Sequence, residues 1–231
     1  MSTGPIENTA RALSHWHVRH QAMSNNLANA GTSGFKGERV FGELMADRTL
    51  QTGSRTDLQQ GQLKYTGSQL DVALVGEGYL VVGTPQGDRL ARGGSFELDA
   101  NGRLVDDRGF AVMGERGELI LPPGEVEFGR DGAILVDQAL IGRLRVVTVP
   151  AEVGLLHEGG NRFSAPVESW SALRSEDRDV RQGNLEESNV GPLEGMVEMI
   201  SIQRAYAAVE KAVEALDGQI ATAVDLGRPV R

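Results

Sequence analysis

The sequence has no cysteine, which excludes a disulfide framework, a thiol nucleophile and a thiolate metal site in any redox compartment. It is also short of histidine, with four, and of aromatics, at 5%, so an aliphatic core is expected. No window approaches the roughly 18 uninterrupted apolar residues that a membrane helix needs, and the N-terminus has neither a basic start nor an apolar signal core. Cleaved secretion is therefore not expected. Positive charge is in deficit as well: 23 Lys and Arg stand against 32 Asp and Glu, a net charge of −9, which opposes general binding to phosphate backbones. What is present suits a soluble globular chain of one or two domains: 40% apolar residues and 24% charged ones in 231 positions. Thirty glycines point to tight turns and β structure.

The clearest periodicity lies at the two ends. From Ile6 the positions Thr9, Leu13, Trp16, His20, Met23, Leu27 and Ala30 follow in steps of three and four, the seam of an amphipathic helix in heptad register. Pro5 suits its first turn, and Asn29-Ala30-Gly31-Thr32-Ser33-Gly34 should stop it near Asn29. Met199, Ile202, Tyr206, Val209, Val213, Leu216, Ile220 and Ala223 repeat the pattern without a charged member. Pro192 and Glu194 mark the start of this second helix, Gly227 and Pro229 its end, and Gly218 inside it costs about 1 kcal/mol relative to alanine. At about 1.5 Å per residue both seams are about 36 Å long. Each must bury its stripe, and the matched lengths predict coiled-coil-like pairing of the two ends, within one subunit or between subunits.

Between the ends the pattern changes to short strands. Leu70–Val75, Tyr79–Val82, Ser95–Leu98, Glu118–Leu121, Glu125–Phe128, Ala133–Val136 and Leu144–Val149 read as strands. Pro85-Gln86-Gly87-Asp88, Asn101-Gly102, Arg108-Gly109, Pro122-Pro123-Gly124 and Asp131-Gly132 punctuate them. The expected fold is α+β: terminal helices over 1–46 and 183–231, a central antiparallel β domain over 60–166, and polar connectors at 47–59 and 167–182.

Motifs with chemical potential fail on their details. In His15-Trp16-His17-Val18-Arg19-His20 only His17 and His20 share a helical face, and no further ligands complete a zinc set; His20 fits better as a polar insertion in the seam. Asp99-Ala100-Asn101-Gly102-Arg103 opens like a calcium loop but places Arg103 where an oxygen ligand belongs, so a hairpin turn is expected. Gly93-Gly94-Ser95-Phe96-Glu97 lacks the closing glycine of a nucleophile elbow. Gly76, Gly78 and Gly83 fit neither a dinucleotide fingerprint nor a phosphate loop. Asp106-Asp107 and Glu186-Glu187 read as solvated surface carboxylates. No catalytic residue, cofactor or metal is expected.

Two longer stretches are more specific. Ser24-Asn25-Asn26-Leu27-Ala28-Asn29-Ala30-Gly31-Thr32-Ser33-Gly34-Phe35-Lys36-Gly37 resembles the N-terminal signature of the bacterial flagellar rod and hook proteins. Gln182 to Val190, continuing through Met196-Val197-Glu198-Met199-Ile200 to Gln203-Arg204-Ala205-Tyr206, resembles the C-terminal signature of the same family. Gln60-Gly61-Gln62-Leu63, Leu70-Asp71-Val72-Ala73, Gly76-Glu77-Gly78-Tyr79 and Phe96 to Gly102 are similar to its central region. The short connector between Phe41 and Gln60, with Ile141-Gly142-Arg143-Leu144, favours the proximal-rod branch.

That resemblance implies a structural subunit of the basal-body rod that polymerises through its terminal helices into a hollow axial shaft, with the β domain outward. It implies as partners other rod subunits, further copies of the chain and the flagellar type III export apparatus, with no signal cleavage, no nucleic acid and no membrane insertion. The assembly contacts would fall on both seams and on Asn25, Asn26, Asn29, Gly34, Phe35 and Asn189: the amides satisfy backbone groups or reach a neighbour, and Phe35 anchors in an apolar pocket. The motif can equally be an intramolecular helix stop. The alternatives are a distal-rod or hook-type subunit and, from another class, a soluble ligand-binding or hydrolytic β domain merely braced by its helices.

Overall fold

The structure, a computed structural model, describes residues 4–45 and 50–226, and the side chains of 9–43, 45, 51–215 and 218 within them. The chain forms two compact units. One comprises Met1–Ala28, Glu38–Arg55 and Pro192–Arg231; the other comprises Asn29–Gly37 and Thr56–Gly191.

The first unit holds the two long helices, α1 (Gly4–Ala28) and α2 (Pro192–Leu226), packed against each other. α1 stops one residue before Asn29, where the Thr32 N–H bonds the Asn29 carbonyl at 2.9 Å and the chain turns away. α2 begins at Pro192, whose missing N–H and preset φ suit a first helical position, with Glu194 at the positive end of the macrodipole. Gly227 and Pro229 lie outside the described residues. On α2, Ile202 is 1% exposed, and Met199, Tyr206, Val209 and Val213 are half-buried. The apolar seam is thus the sheltered face of the helix; the side chains of Leu216, Ile220 and Ala223 lie outside those described.

α1 is sheltered over a wider arc than one seam. Met23 is buried and Leu13, Trp16, His20 and Leu27 are half-buried, but so are Ala12, His15 and Arg19, while Ala22 and Asn26 are fully buried. The reason is a second neighbour. Strands β1 (Glu38–Leu44) and β2 (Leu50–Thr56) form a two-stranded sheet within this unit, and β1 lies against α1. His15 Nδ1 meets Thr52 Oγ1 at 3.0 Å. Much of the stretch 47–59, which its polarity marks as a connector, is therefore strand. The ring of Phe41 on β1 lies over Gly53 on β2, in the space a side chain at 53 would take.

In the second unit the strands are short and antiparallel. β3 (Leu63–Tyr65), β4 (Asp71–Leu74), β5 (Tyr79–Thr84), β6 (Gly87–Ala91) and β7 (Gly93–Ser95) come first. β5 pairs with β6, with Ala111–Gly114 and with Val146–Thr148, so it lies at the centre of the largest sheet. Its run Tyr79-Leu80-Val81-Val82 is buried throughout because both faces are covered. Leu80 faces a core with Val72, Leu104, Val112, Ile134 and Leu144; Tyr79 and Val81 face a second with Leu90, Val147 and Phe163. The turn expected at Asn101-Gly102 is present: Gly102 has φ +76° and the chain reverses between Glu97–Leu98 and Leu104–Val105.

The unit extends beyond 60–166 on both sides. Val180–Gln182 pairs with β4, and Asn184–Glu186 pairs with β3. The stretch Asn29–Gly37 joins them through the Gly34 N–H, which bonds the Glu186 carbonyl at 2.6 Å. Sequence periodicity misses these strands because three-residue segments rich in Arg, Gln and Asn carry no apolar alternation.

Candidate functional site

The two signature stretches, about 150 residues apart in sequence, meet. In the β unit, Gly34-Phe35-Lys36-Gly37 lies beside Glu186 to Asn189. Gly34 takes φ +72° and is buried, a conformation that costs glycine little. Phe35 is 1% exposed, and its ring meets that of His157 edge-on at 4.9 Å. His157 in turn meets Phe163 at 5.2 Å, so Phe35 extends the second core. Asn189 is an internal clasp: its Oδ1 accepts the Gly37 N–H at 2.8 Å, and its Nδ2 donates to the Asp57 and Gln59 carbonyls at 2.8 and 3.1 Å.

Beneath this clasp lies a buried charge network. Lys36 Nζ bonds one oxygen of the Glu186 carboxylate and donates to the Gln59 carbonyl at 2.6 Å. Arg92 Nε bonds the other oxygen at 3.1 Å, while its terminal nitrogens donate to the Gly78 carbonyl and, at 3.1 Å, to the Leu74 carbonyl. The Gly61 N–H completes the carboxylate's set at 2.9 Å. Burial pushes the Lys36 ammonium below its ordinary pKa, and Glu186 opposes that shift only in part. The arrangement is one anion holding two cations, with further donors and acceptors supplied by backbone.

Here the expectation of solvated carboxylate pairs fails for one member of each pair. Glu186 is 2% exposed and serves the network, while Glu187 is exposed. Asp106 is 9% exposed: it bonds Arg162 at 2.8 Å and accepts the Arg108 and Phe110 N–H groups at 3.0 and 2.9 Å, while Asp107 is exposed. Glu186 ends the strand Asn184–Glu186 and Asp106 follows the strand Leu104–Val105, and each lies in the interior because cations from distant segments come to meet it. Lys36 and Arg92 were missed for the same reason, although Lys36 stands inside the N-terminal signature.

In the helical unit Asn26, 4% exposed, acts on β1: its Nδ2 donates to the Glu38 carbonyl and its Oδ1 accepts the Glu38 N–H, both at 2.8 Å. The amide imitates a strand partner. Asn25 is exposed and Asn29 half-buried. Arg19 lies over the Trp16 ring at 5.0 Å and reaches Glu198 on α2 at 2.8 Å. The seam residues Leu13, Trp16, Met23 and Leu27 share this unit with Met199, Ile202, Tyr206, Val209 and Val213.

The segments that resemble chemical motifs have structural occupations. The Asp99 carboxylate bonds Arg103 at 2.8 Å and caps the Asn101 N–H at the same distance. Ser95 Oγ donates to Asp71 Oδ1 at 2.6 Å on β7, away from any helix start. Among the described residues no group of three or more His, Asp or Glu is placed to hold a metal ion, and no helix is long and apolar enough to cross a membrane.

Comparison with known proteins places these features in context. Residues 73–136 match the family described as "Flagellar hook protein FlgE/F/G D1 domain", and residues 181–226 match "Flagellar basal body rod FlgEFG protein C-terminal". The second match contains Glu186 and Asn189 as well as α2. The flagellar basal-body rod protein FlgF of Salmonella typhimurium is 34% identical over 233 residues, covering 90% of this chain and 92% of its own length. The rod protein FlgG of Buchnera aphidicola subsp. Schizaphis graminum is 31% identical over 239 residues, at 87% and 90% coverage. The rod protein FlgF of Caulobacter vibrioides is 29% identical over 208 residues, at 83% and 84%.

Proposed function

The chain belongs to the flagellar basal-body rod protein family and is a structural subunit of that rod; from this premise we propose that it polymerises through α1 and α2 into the wall of the hollow axial shaft. The carrying observation is that both termini fold into one unit around complementary apolar stripes, separate from the β unit. A rod wall built from such units needs both ends of every chain in one place, and coiled-coil-like pairing of the seams supplies that.

In this reading Leu13, Trp16, Met23 and Leu27 on α1, with Met199, Ile202, Tyr206, Val209, Val213, Leu216 and Ile220 on α2, hold the helix pair that packs against its neighbours. Asn25 and Asn29 offer amides at the end of α1. Asn26, Gly34, Phe35 and Asn189 serve assembly by fixing where the chain leaves each helix. The assembly domain is the unit that holds α1 and α2, and the strands within 60–166 are the centre of the β domain. The chain works in the proximal part of the rod, a placement supported by the short connector after Phe41. It joins other rod subunits and copies of itself, passes unfolded through the flagellar type III apparatus without signal cleavage to the periplasm-spanning rod, and carries out no catalysis.

A truncation tests the reading. A chain reduced to 29–191 keeps Phe35, Lys36, Glu186 and Asn189 and should retain the β unit's cooperative unfolding, yet be absent from isolated basal bodies that contain the full chain. Entry of the truncated chain at the normal level refutes polymerisation through the helices.

A further inference from the structure

Tyr65 on β3 is 77% exposed, yet its ring is held in place. A methyl group on Gly183 would lie 3.3 Å from Tyr65 Cε2, and one on Gly67 would lie 3.6 Å from its Oη and 3.7 Å from its Cζ. Both glycines take positive φ, +75° at Gly67 and +67° at Gly183, and the Thr66 and Gly67 N–H groups bond the Gly183 carbonyl at 2.8 and 3.2 Å. The ring rests on this bed of glycine backbone and turns its other side to solvent.

Tyr65 is one wall of a groove of about 460 Å³ in the β unit. Gln69 and Gln182 line it beside the ring, and Glu125, Glu127 and Leu135 line it from the paired strands Val126–Phe128 and Ala133–Val136 and the residue before them. Gln182 ties the two sides together: its Oε1 accepts the Phe128 N–H at 3.2 Å, and its Nε2 donates to the Gln69 and Val126 carbonyls at 2.8 and 2.7 Å. The groove is therefore preformed. Glu127, Leu135 and Leu140 stand opposite one another across three strands, and Leu140 is 60% exposed, so an apolar border continues beyond the carboxylates.

Charge selects the occupant. Glu125 and Glu127 are exposed and, among the described residues, form no ion pair, while no Lys or Arg lines the groove. The nearest cations are turned elsewhere: Lys64 projects from the opposite side of β3 and lies 3.9 Å from Glu187, and Arg130 and Arg181 hold Asp179 at 3.1 and 2.9 Å. Asp137, whose Oδ1 accepts the Glu125 N–H at 2.9 Å, adds a third acid at the edge. A second copy of the chain is a poor match. Its β unit carries 22 acidic side chains against 14 basic ones, and its remaining residues are close to balance with 10 against 9. An arginine is the side chain that fits, because its planar guanidinium stacks on an aromatic face and donates to carboxylates at the same time.

We propose that the Tyr65 groove receives an arginine-bearing segment of a different protein, with the guanidinium on the open side of the ring and Glu125 and Glu127 accepting its N–H groups. Tyrosine and arginine are the residue types that dominate binding energy at such contacts. The proposal concerns the β unit and is tested on the free full-length chain, so its outcome is independent of whether the helices polymerise.

The isotope-labelled chain is titrated at low salt with a peptide of Gly-Arg-Ser repeats and followed by NMR. The amide resonances of Gly67, Glu127 and Gly183 should move saturably, and the same peptide with citrulline in place of arginine should leave them unmoved. Tyr65→Ala, and separately the double variant Glu125→Gln, Glu127→Gln, should each weaken the response about threefold or more. The carboxylate variant leaves the ring and its glycine bed intact, so it carries the test if Tyr65→Ala does not fold. Glu152→Gln, at an exposed acid of the β unit outside the groove, should change nothing. No movement at the three amides, an equal response to the citrulline peptide, or the same weakening by Glu152→Gln overturns the proposal. Sedimentation of the free chain without peptide decides the remaining occupant: it should be the same for the parent and for the carboxylate variant, and a concentration-dependent dimer that this variant abolishes would assign the groove to a second copy and overturn the proposal.

Discussion

Removing the Glu186 carboxylate should unfold the β unit far more readily than removing either of the cations it holds. Lys36, Glu186 and Arg92 side chains are 1%, 1% and 6% exposed, so Glu186→Ala leaves two cations close together in a medium that screens them poorly. It also deprives the Gly61 N–H of its acceptor. Breaking one buried pair by deleting a partner costs about 3–5 kcal/mol, and the loss of two pairs and a buried N–H bond puts this variant at the upper end, about 5 kcal/mol. At about 2–4 °C per kcal/mol for a unit of this size, Tm falls by about 10–20 °C. Lys36→Met is the contrast. It removes the charge together with its burial penalty and leaves Glu186 bound to Arg92 and Gly61, so its cost is about 1–2 kcal/mol. The assay is urea unfolding of the full chain carrying Trp16→Phe, which leaves Trp170 as a fluorescent reporter inside the β unit. An equal or larger loss with Lys36→Met, or a loss below about 1 kcal/mol with Glu186→Ala, refutes the reasoning. The pH dependence supplies a second check. The folded-state pKa of Lys36 lies below its ordinary 10.5, so between the two values the unfolded chain binds more protons than the folded one. The contribution of Lys36 to stability therefore rises with pH across that window, and the Lys36→Met variant should lack that rise.

Three further outcomes follow from single sites. Phe35→Ala empties a place in the second core and should cost about 3–5 kcal/mol in the same fluorescence assay; a loss under about 1 kcal/mol would mean that Phe35 is not an anchor within the subunit. Gly93→Ala should prevent the β unit from reaching its native fold, because φ is +137° and the new Cβ would lie 2.2 Å from the Val72 carbonyl oxygen; a native-like circular dichroism spectrum and melting curve would contradict the geometry of β7. Gly218→Ala should stabilise the helical unit by about 1 kcal/mol, since no described atom beyond the adjoining backbone of α2 lies within 4 Å of the added methyl. A rise in helical content and in the thermal midpoint checks it, and a fall would show a close neighbour at that position.

Periodicity and local chemistry were enough to read both helices, the start of α2 at Pro192, the sheltered face through Ile202, the buried run Tyr79-Leu80-Val81-Val82 and the Asn101-Gly102 turn. These features depend on neighbours within one or two turns of chain, and the spacing of apolar residues records them directly. Asn26, Phe35 and Asn189 also stand out in the sequence as parts of specific motifs, but motif membership does not say whether an amide bonds its own chain or another. Tertiary structure decided that Asn26 mimics a strand against Glu38, that Asn189 closes on Gly37, and that Glu186 lies inside while Glu187 lies outside. It also decided that polar segments such as Leu50–Thr56 and Val180–Gln182 become strands. The physical reason is common to all of them: a charged or polar group can be buried only where its partners arrive, and the partners of Glu186 come from 94 and 150 residues away. Apolar spacing is written locally, whereas the compensation of a buried charge exists only after the chain has folded.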